Sequence, residues 1–497
     1  MSRAPFDAAA RAAALDAIGA EPLDLLIIGG GITGAGAARD AATRGLRTAL
    51  VERDDFASGT SSRSSRLIHG GLRYLEHGEL HLVFEASRER RVLLRTAPTL
   101  VHPLRFTWPV YRGARVPKWE LRAGLMLYDA LAMFRNVGRH HMWDAAEIER
   151  LEPRLRHDGL VGGATYFDAS TNDVRLTIAN IRSAADAGAR IANHAAVRAL
   201  IVERGVVRGA EITCALTGRT VRASARCVVN AAGPWGDGIR QLADPGAKVG
   251  VRGTRGAHIA VPRLAAGTTG AIAITHPRDG RVMFILPAGE FTIVGTTDTD
   301  YFGALDQVRA TREDVAYLLE AANHYLPATA LSTGDVVAAW AGIRPLVASN
   351  AASTAAVSRE HAITPGPKGM LSVSGGKLTT YRLMAQQIVD RVETAIGRPH
   401  ARSRTAEDPL VPDGETEPDR TQVAAAVAQV VRHEMAMTVS DVLVRRLQLA
   451  YELRDNGAAL APSVARLMAP MLGWTAAQER DAVSDYVRDV TRIFAIE

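Results

Sequence analysis

The chain is poor in residues that would tie it together covalently or mark it for export. Its 497 residues include two cysteines, Cys214 and Cys227, so neither a disulfide framework nor a cysteine-rich metal cluster fits, and a reducing compartment does. Aromatic residues make up 5% of the chain. No run approaches the roughly 20 apolar residues of a membrane-spanning helix. Residues Met1 to Ala20 are alanine-rich but broken by Arg3, Asp7, Arg11 and Asp16, which leaves no apolar core for a secretory signal. Charge of one sign is scarce too. The formal excess is +6, too little over so large a surface to indicate nucleic acid. Such an excess suits plain solubility as well as a basic face toward anionic lipid or a phosphorylated substrate. The expected location is cytoplasmic. The length exceeds what one core holds and allows two or three domains.

What is present begins with Asp24-Leu-Leu-Ile-Ile-Gly29, a continuous apolar run ending in glycine. That pattern predicts a parallel strand buried on both faces. An alanine-rich helix follows from Gly34 to about Arg44, stopped by Gly45, and Leu46 to Glu52 reads as a second strand,. The turn between them is Gly29-Gly-Gly31-Ile-Thr-Gly34, and Glu52 lies 18 residues beyond it. Each part has a physical purpose. Gly29 permits the tight turn, Gly31 admits a pyrophosphate against the backbone, and Gly34 lets helix and strand approach. The helix N-terminus attracts phosphate, and an acidic side chain accepts from ribose hydroxyls. A glycine turn of purely structural use does not need all of these in register, so a dinucleotide site is expected.

Further on, Ile191 to Trp235 holds short strands between glycines and ends in Cys227-Val-Val-Asn230-Ala-Ala-Gly233-Pro-Trp235. Val251 to Tyr301 is rich in β-formers and glycine, which predicts a separate antiparallel sheet. Thr405 to Glu417 reads as a linker. Beyond Asp419 the spacing of Val423, Val427, Val430 and Val431 is helical, with Asp441 and Thr475 as helix starts,. The fold class is thus α/β with an inserted antiparallel sheet and a small helical C-terminal domain. After Glu52 comes the hydroxyl-rich run Ser58-Gly-Thr-Ser61-Ser62-Arg-Ser64-Ser65, which by composition alone is a flexible surface loop. It continues, however, into Arg66-Leu-Ile-His69-Gly-Gly-Leu-Arg73-Tyr74-Leu-Glu76, a mixture of glycines with basic and aromatic groups unlike a plain linker.

Taken together, these stretches, with Gly295-Thr-Thr-Asp298, Ala341-Gly-Ile-Arg344-Pro-Leu and Ser374-Gly-Gly376-Lys377-Leu378-Thr379-Thr-Tyr-Arg382, resemble the FAD-dependent glycerol-3-phosphate dehydrogenases, a branch of the D-amino-acid-oxidase-like flavoproteins. The likeness runs from about Asp24 to Met384, and Arg66 stands where relatives usually carry lysine. It implies a Rossmann-like FAD-binding part in segments of about 20–95, 150–240 and 340–400. A substrate part would take about 96–149 and 241–339, and the helical domain 405–497. FAD would be held by Gly29, Gly31, Gly34, Glu52, Ser61, Ser62, Ser64, Ser65, Gly233, Gly376, Lys377, Leu378 and Thr379. Substrate would be held by Arg73, Tyr74, His258, Arg344, Arg359 and Lys377. Catalysis would draw on His258, Arg344, Lys377 and His69.

The chemistry of sn-glycerol 3-phosphate agrees with that set. Its phosphate calls for arginine forks and a lysine point charge. Its secondary alcohol, losing a hydride, needs a neutral acceptor for the proton, and histidine is the natural one. His258 is the first choice and His69 its rival. A membrane quinone is the expected electron acceptor, with molecular oxygen (an oxidase) as the alternative. A non-catalytic flavin-binding protein is a third reading, disfavoured because a mere binder does not need Arg344, His258 and Lys377 together. Reaching quinone requires a membrane surface, on the inner face of the cell membrane. The sequence does not give the oligomeric state, and a homodimer is one assembly it allows. Residues 116–133, with Trp119, Leu125, Leu127 and Met133 beside Lys118 and Arg122, are read first as a core helix and second as a lipid-facing one. The C-terminal helices, with Arg432, Arg445 and Arg446, are another candidate for lipid contact.

Overall fold

The computed structural model describes residues 3–72, 75, 78–133, 136–263, 267–348, 360–411 and 417–497. Strand Leu23–Ile28 is buried at every position, the reason its sequence does not alternate. Burying each of Leu25, Leu26 and Ile27 contributes about 1.5–3 kcal/mol,. The strand lies at the centre of a parallel sheet, between Thr220–Asn230 and Thr48–Val51, with Ile28 opposite Asn230 on one side and Val51 on the other. Leu371–Ser374 and Arg190–Ala192 extend the sheet outward, and Ala362–Pro365 closes one edge as an antiparallel hairpin. The helix Ile32–Thr43 offers Ala35, Ala37, Ala38 and Ala41 to its neighbours. Side chains this small let it settle between the helices Asp173–Asp186 and Tyr381–Ala395.

The second sheet is mixed and larger. Among the described residues its central path runs Thr299–Asp300, Val251–Pro262, Phe291–Gly295, Val282–Ala288, Ala271–Thr275, Val101–Tyr111, Leu160–Thr171 and Leu67–Ile68. Pairing is antiparallel except between Ala271–Thr275 and Val101–Tyr111. Ala338–Val347 pairs with Val251–Pro262 and sets Arg344 opposite Thr254. The chain thus passes repeatedly between the two sheets, and the site lies where loops after the first sheet's strands meet strands of the second.

The C-terminal part has helices Val423–His433, Ala461–Leu472 and Ala476–Phe494. Thr475 caps the last through a reciprocal bond with Gln478,. Asp441 opens a π-helical turn, Asp441–Arg446. This turn brings two successive arginines onto one carboxylate: Arg445 Nε and both terminal nitrogens of Arg446 donate to Asp55, all three side chains being buried. Asp441 in turn accepts from His194 Nε2 at 3.0 Å and from Arg445. Arg445 and Arg446 therefore do not form a basic outer face, and the expectation that they face lipid is corrected: Asp55, in the loop after the strand Thr48–Val51, captures both. Arg432 is exposed.

Helix Lys118–Leu131 is likewise not wholly core. Leu121, Leu125 and Tyr128 face inward, whereas Trp119 is 72% exposed and Met126, Leu127 and the following Met133 are also exposed. No helix among the described residues is long and apolar enough to cross a membrane.

Candidate active site

At the C-terminal ends of the parallel strands the glycine turn opens a cleft of about 270 Å³. Gly29 adopts a positive φ of 113°, and a Cβ there would lie 2.6 Å from the carbonyl oxygen of Ala231. A Cβ on Gly34 would sit 2.0 Å from the Gly29 carbonyl oxygen, so helix and turn touch as the motif demands. Glu52 closes the cleft. Its carboxylate accepts from Gly30 N at 2.6 Å and Asp54 N at 2.9 Å, and burial pushes its pKa above the usual range. Ser61 Oγ accepts from Ile32 N at 2.9 Å, which ties the hydroxyl-rich loop to the helix N-terminus. The opposite wall is Ala231 to Trp235, and the far end is Pro345 with Gly375 to Leu378.

A second cavity of about 150 Å³ lies against this strip, lined by Ser65, His69, Gly71, Arg281, Asp298 and Arg344 among others. Phe106, Trp108, Tyr166 and Phe284 give it an apolar, aromatic wall. Arg344 is held from three directions: Nη1 donates to Asp298 Oδ1 at 3.1 Å, and Nη2 to Thr296 Oγ1 and the Thr297 carbonyl. Gly256 leaves room for it, since a Cβ there would meet the guanidinium at 2.3 Å. The His69-Gly-Gly turn is pinned as firmly. Gly70 N donates to Tyr128 Oη at 2.9 Å and Asp168 Oδ1 at 3.0 Å, and Arg90 neutralises Asp168. Thr379 Oγ1 accepts from His69 N at 3.1 Å, joining the turn to the strip that ends the first cleft.

The residues singled out by sequence therefore fall in distinct places. Gly29, Gly31, Glu52, Ser61, Ser64, Gly233, Gly376, Lys377 and Leu378 line the cleft, and Ser65, His69 and Arg344 line the second cavity. Gly34 lies beneath the turn. Ser62 and Thr379 are buried behind the walls. Arg73, Tyr74 and Arg359 lie outside the described residues.

His258 lines neither space. It is 2% exposed, its ring stacks on Trp340 at 5.6 Å, and its Nε2 pairs with Ser65 Oγ at 2.9 Å. Burial first, and then Arg344 and Arg66, depress its pKa to about 3. His258 thus stays neutral and reaches the cavity only through Ser65. An unfolded imidazole, near 6.5, takes its proton first as pH falls. The group therefore withdraws stability progressively from about pH 6.5 down to about 3, and none above. It adds no inflection to activity between about pH 5 and 8, so a His258→Asn enzyme should keep every inflection of the wild-type kcat/KM profile. Loss of one would reassign that titration to His258.

Sequence reading missed Arg281, Phe106, Trp108, Tyr166 and Asp168. The alternation Phe106-x-Trp108 on one strand was a usable signal for a shared face. Arg281, following an Asp-Gly turn, carried none.

A glycine turn, an acidic strand end and a second sheet standing over the cleft define a dinucleotide-binding oxidoreductase fold. The family model "FAD dependent oxidoreductase" matches residues 24–391, and "C-terminal domain of alpha-glycerophosphate oxidase" matches 400–479. Glycerol-3-phosphate dehydrogenase 2 of Mycobacterium tuberculosis is 36% identical over 97% of this chain and 90% of its own. The aerobic glycerol-3-phosphate dehydrogenase of Bacillus subtilis is 39% identical over 74% of this chain and 66% of its own. The crystal structure of the Bacillus halodurans glycerol-3-phosphate dehydrogenase, complexed with FAD, superposes with a TM-score of 0.81 at 28% identity and covers 98% of both chains. The chain belongs to the FAD-dependent oxidoreductases, among the glycerol-3-phosphate dehydrogenases. The residues present fit that cofactor: Gly29 and Gly34 keep the turn tight against its own strand and helix, and the Glu52 carboxylate lines the cleft as an acceptor for hydroxyl groups.

Proposed function

We propose that this enzyme oxidises sn-glycerol 3-phosphate to dihydroxyacetone phosphate, with bound FAD supplying the two-electron acceptor. The observation that carries the reading is the small second cavity, which holds a fixed arginine and a histidine against the end of the cofactor cleft. Arg344 binds the phosphate. His69, facing the same cavity, takes the proton released by the C2 hydroxyl, and His258 supports it from behind Ser65. Lys377, at the end of the cleft, places positive charge where electrons arrive. Arg73, Tyr74 and Arg359 complete the substrate set by family resemblance.

An anaerobic absorbance spectrum tests this. The oxidised flavin band should bleach on adding glycerol 3-phosphate and persist with glycerol or a D-amino acid. A band that persists with glycerol 3-phosphate sinks the substrate assignment. Readmitting air, then a quinone analogue, separates the acceptors: reoxidation by air as fast as by quinone would make the protein an oxidase.

For the quinone reading the enzyme attaches to the membrane surface through Lys118–Leu131. Trp119 and Met126 lie seven residues apart on one helical stripe, with Arg122 between them,. The adjoining helix Leu80–Thr96 adds exposed Leu80 and Phe84. Such a mixture of apolar and basic groups suits a monotopic contact with anionic lipid. The protein should co-sediment with anionic vesicles, and Trp119→Glu with Met126→Glu should release it. Retention by the double variant would move the contact elsewhere.

A further inference from the structure

Arg281 begins where the Asp279–Gly280 turn enters the strand Val282–Ala288, and its side chain lines the second cavity. Its Nη1 donates to Asp298 Oδ2 at 3.2 Å, while Arg344 Nη1 donates to Asp298 Oδ1 at 3.1 Å. One carboxylate, 2% accessible, thus holds two guanidinium groups, one on each oxygen, and all three side chains face the same cavity.

The electrostatics of such a trio are unequal. Two guanidinium groups drawn this close repel each other, and Asp298 between them offsets that repulsion in part,. Asp279, half-exposed and 3.8 Å from Arg281 Nε, offsets the rest only weakly through solvent,. A structural ion pair needs one arginine. The second brings another planar fork to the wall of a small cavity, a geometry that suits phosphate oxygens,.

We propose that Arg281 and Arg344 are two arms of one anion site for the substrate phosphate, and that Asp298 is the positioning residue that sets their spacing. The proposal rests on the phosphorylated-substrate reading above. The test uses the FAD-loaded enzyme, with flavin reduction measured against glycerol 3-phosphate and with inorganic phosphate as competing anion. Arg281→Met should raise KM by about 10- to 100-fold and weaken phosphate inhibition by the same factor, with kcat changed less. Arg281→Lys, which keeps the charge and loses the fork, should fall between. Asp298→Asn separates positioning from plain charge. Removing a negative charge should by itself tighten phosphate binding, whereas loss of positioning should weaken it.

An Arg281→Met enzyme with wild-type KM and wild-type phosphate inhibition would overturn the two-armed site. Tighter phosphate binding in Asp298→Asn would overturn the positioning role. Should Arg281→Met fail to hold flavin, Arg281→Lys decides, because wild-type values for both constants there would exclude a fork. If the wild-type flavin is not bleached by glycerol 3-phosphate at all, the functional reading fails instead. The anion site then stands or falls on whether inorganic phosphate raises the wild-type unfolding temperature and leaves that of the Arg281 variants unchanged.

Discussion

Replacing Arg344 by alanine should lower kcat/KM for glycerol 3-phosphate by roughly 30- to 4,000-fold, the equivalent of about 2–5 kcal/mol for removing one partner of a desolvated charge pair. The guanidinium is held by Asp298, Thr296 and the Thr297 carbonyl, so its place is set before any anion arrives and little ordering cost offsets its contribution. The same substitution frees Asp298 from one counter-ion and turns its charge against the incoming phosphate. Flavin binding should survive, because Arg344 lines the second cavity and not the cofactor cleft. Gly256→Ala should reproduce a smaller part of the loss without touching a charged group, since its Cβ would displace the guanidinium. Stopped-flow reduction at varied substrate concentration measures both. Unchanged kinetics in Arg344→Ala would place the phosphate elsewhere.

The second large effect concerns stability. Asp55→Ala should cost about 3–5 kcal/mol, because it leaves Arg445 and Arg446 buried without their shared carboxylate,. Asp441 still pairs with Arg445, so the harm concentrates on Arg446, which keeps the Glu434 carbonyl and, at 3.8 Å, its carboxylate but has no solvent to turn to. Asp55 lies three positions after Glu52, so the variant should also bind FAD more weakly. Denaturant unfolding with and without added FAD reads both changes. Wild-type stability would mean that the two arginines find other partners.

The nucleotide half was legible because its signals are local. One turn, one buried strand and one acidic residue fall within about thirty residues, and each has a single physical explanation. The His69-Gly-Gly turn was recognisable as unusual, but what fixes it comes from Tyr128 and Asp168, 58 and 98 residues away. No spacing rule reaches that far. Arg445 and Arg446 looked like a solvated basic face for the same reason: their acceptor lies some 390 residues upstream. His258 shows a different limit. The sequence marked it as a histidine in the right strand, but its seclusion depends on Trp340 and Ser65 closing over the ring. Arg281 was illegible outright, since one arginine after a turn reads as surface charge until Asp298 is seen between it and Arg344.

The Asp55 contact also bears on the order in which the protein is made. Asp55 leaves the ribosome some 390 residues ahead of its two counter-ions. Until they do, burying that carboxylate unpaired costs several kcal/mol, about 3–5. The loop carrying Asp55 should therefore stay hydrated until those arginines emerge. A nascent chain stalled before residue 445 carries a glycine turn already tied by Glu52 and Ser61, followed by a loop that still lacks its two arginines.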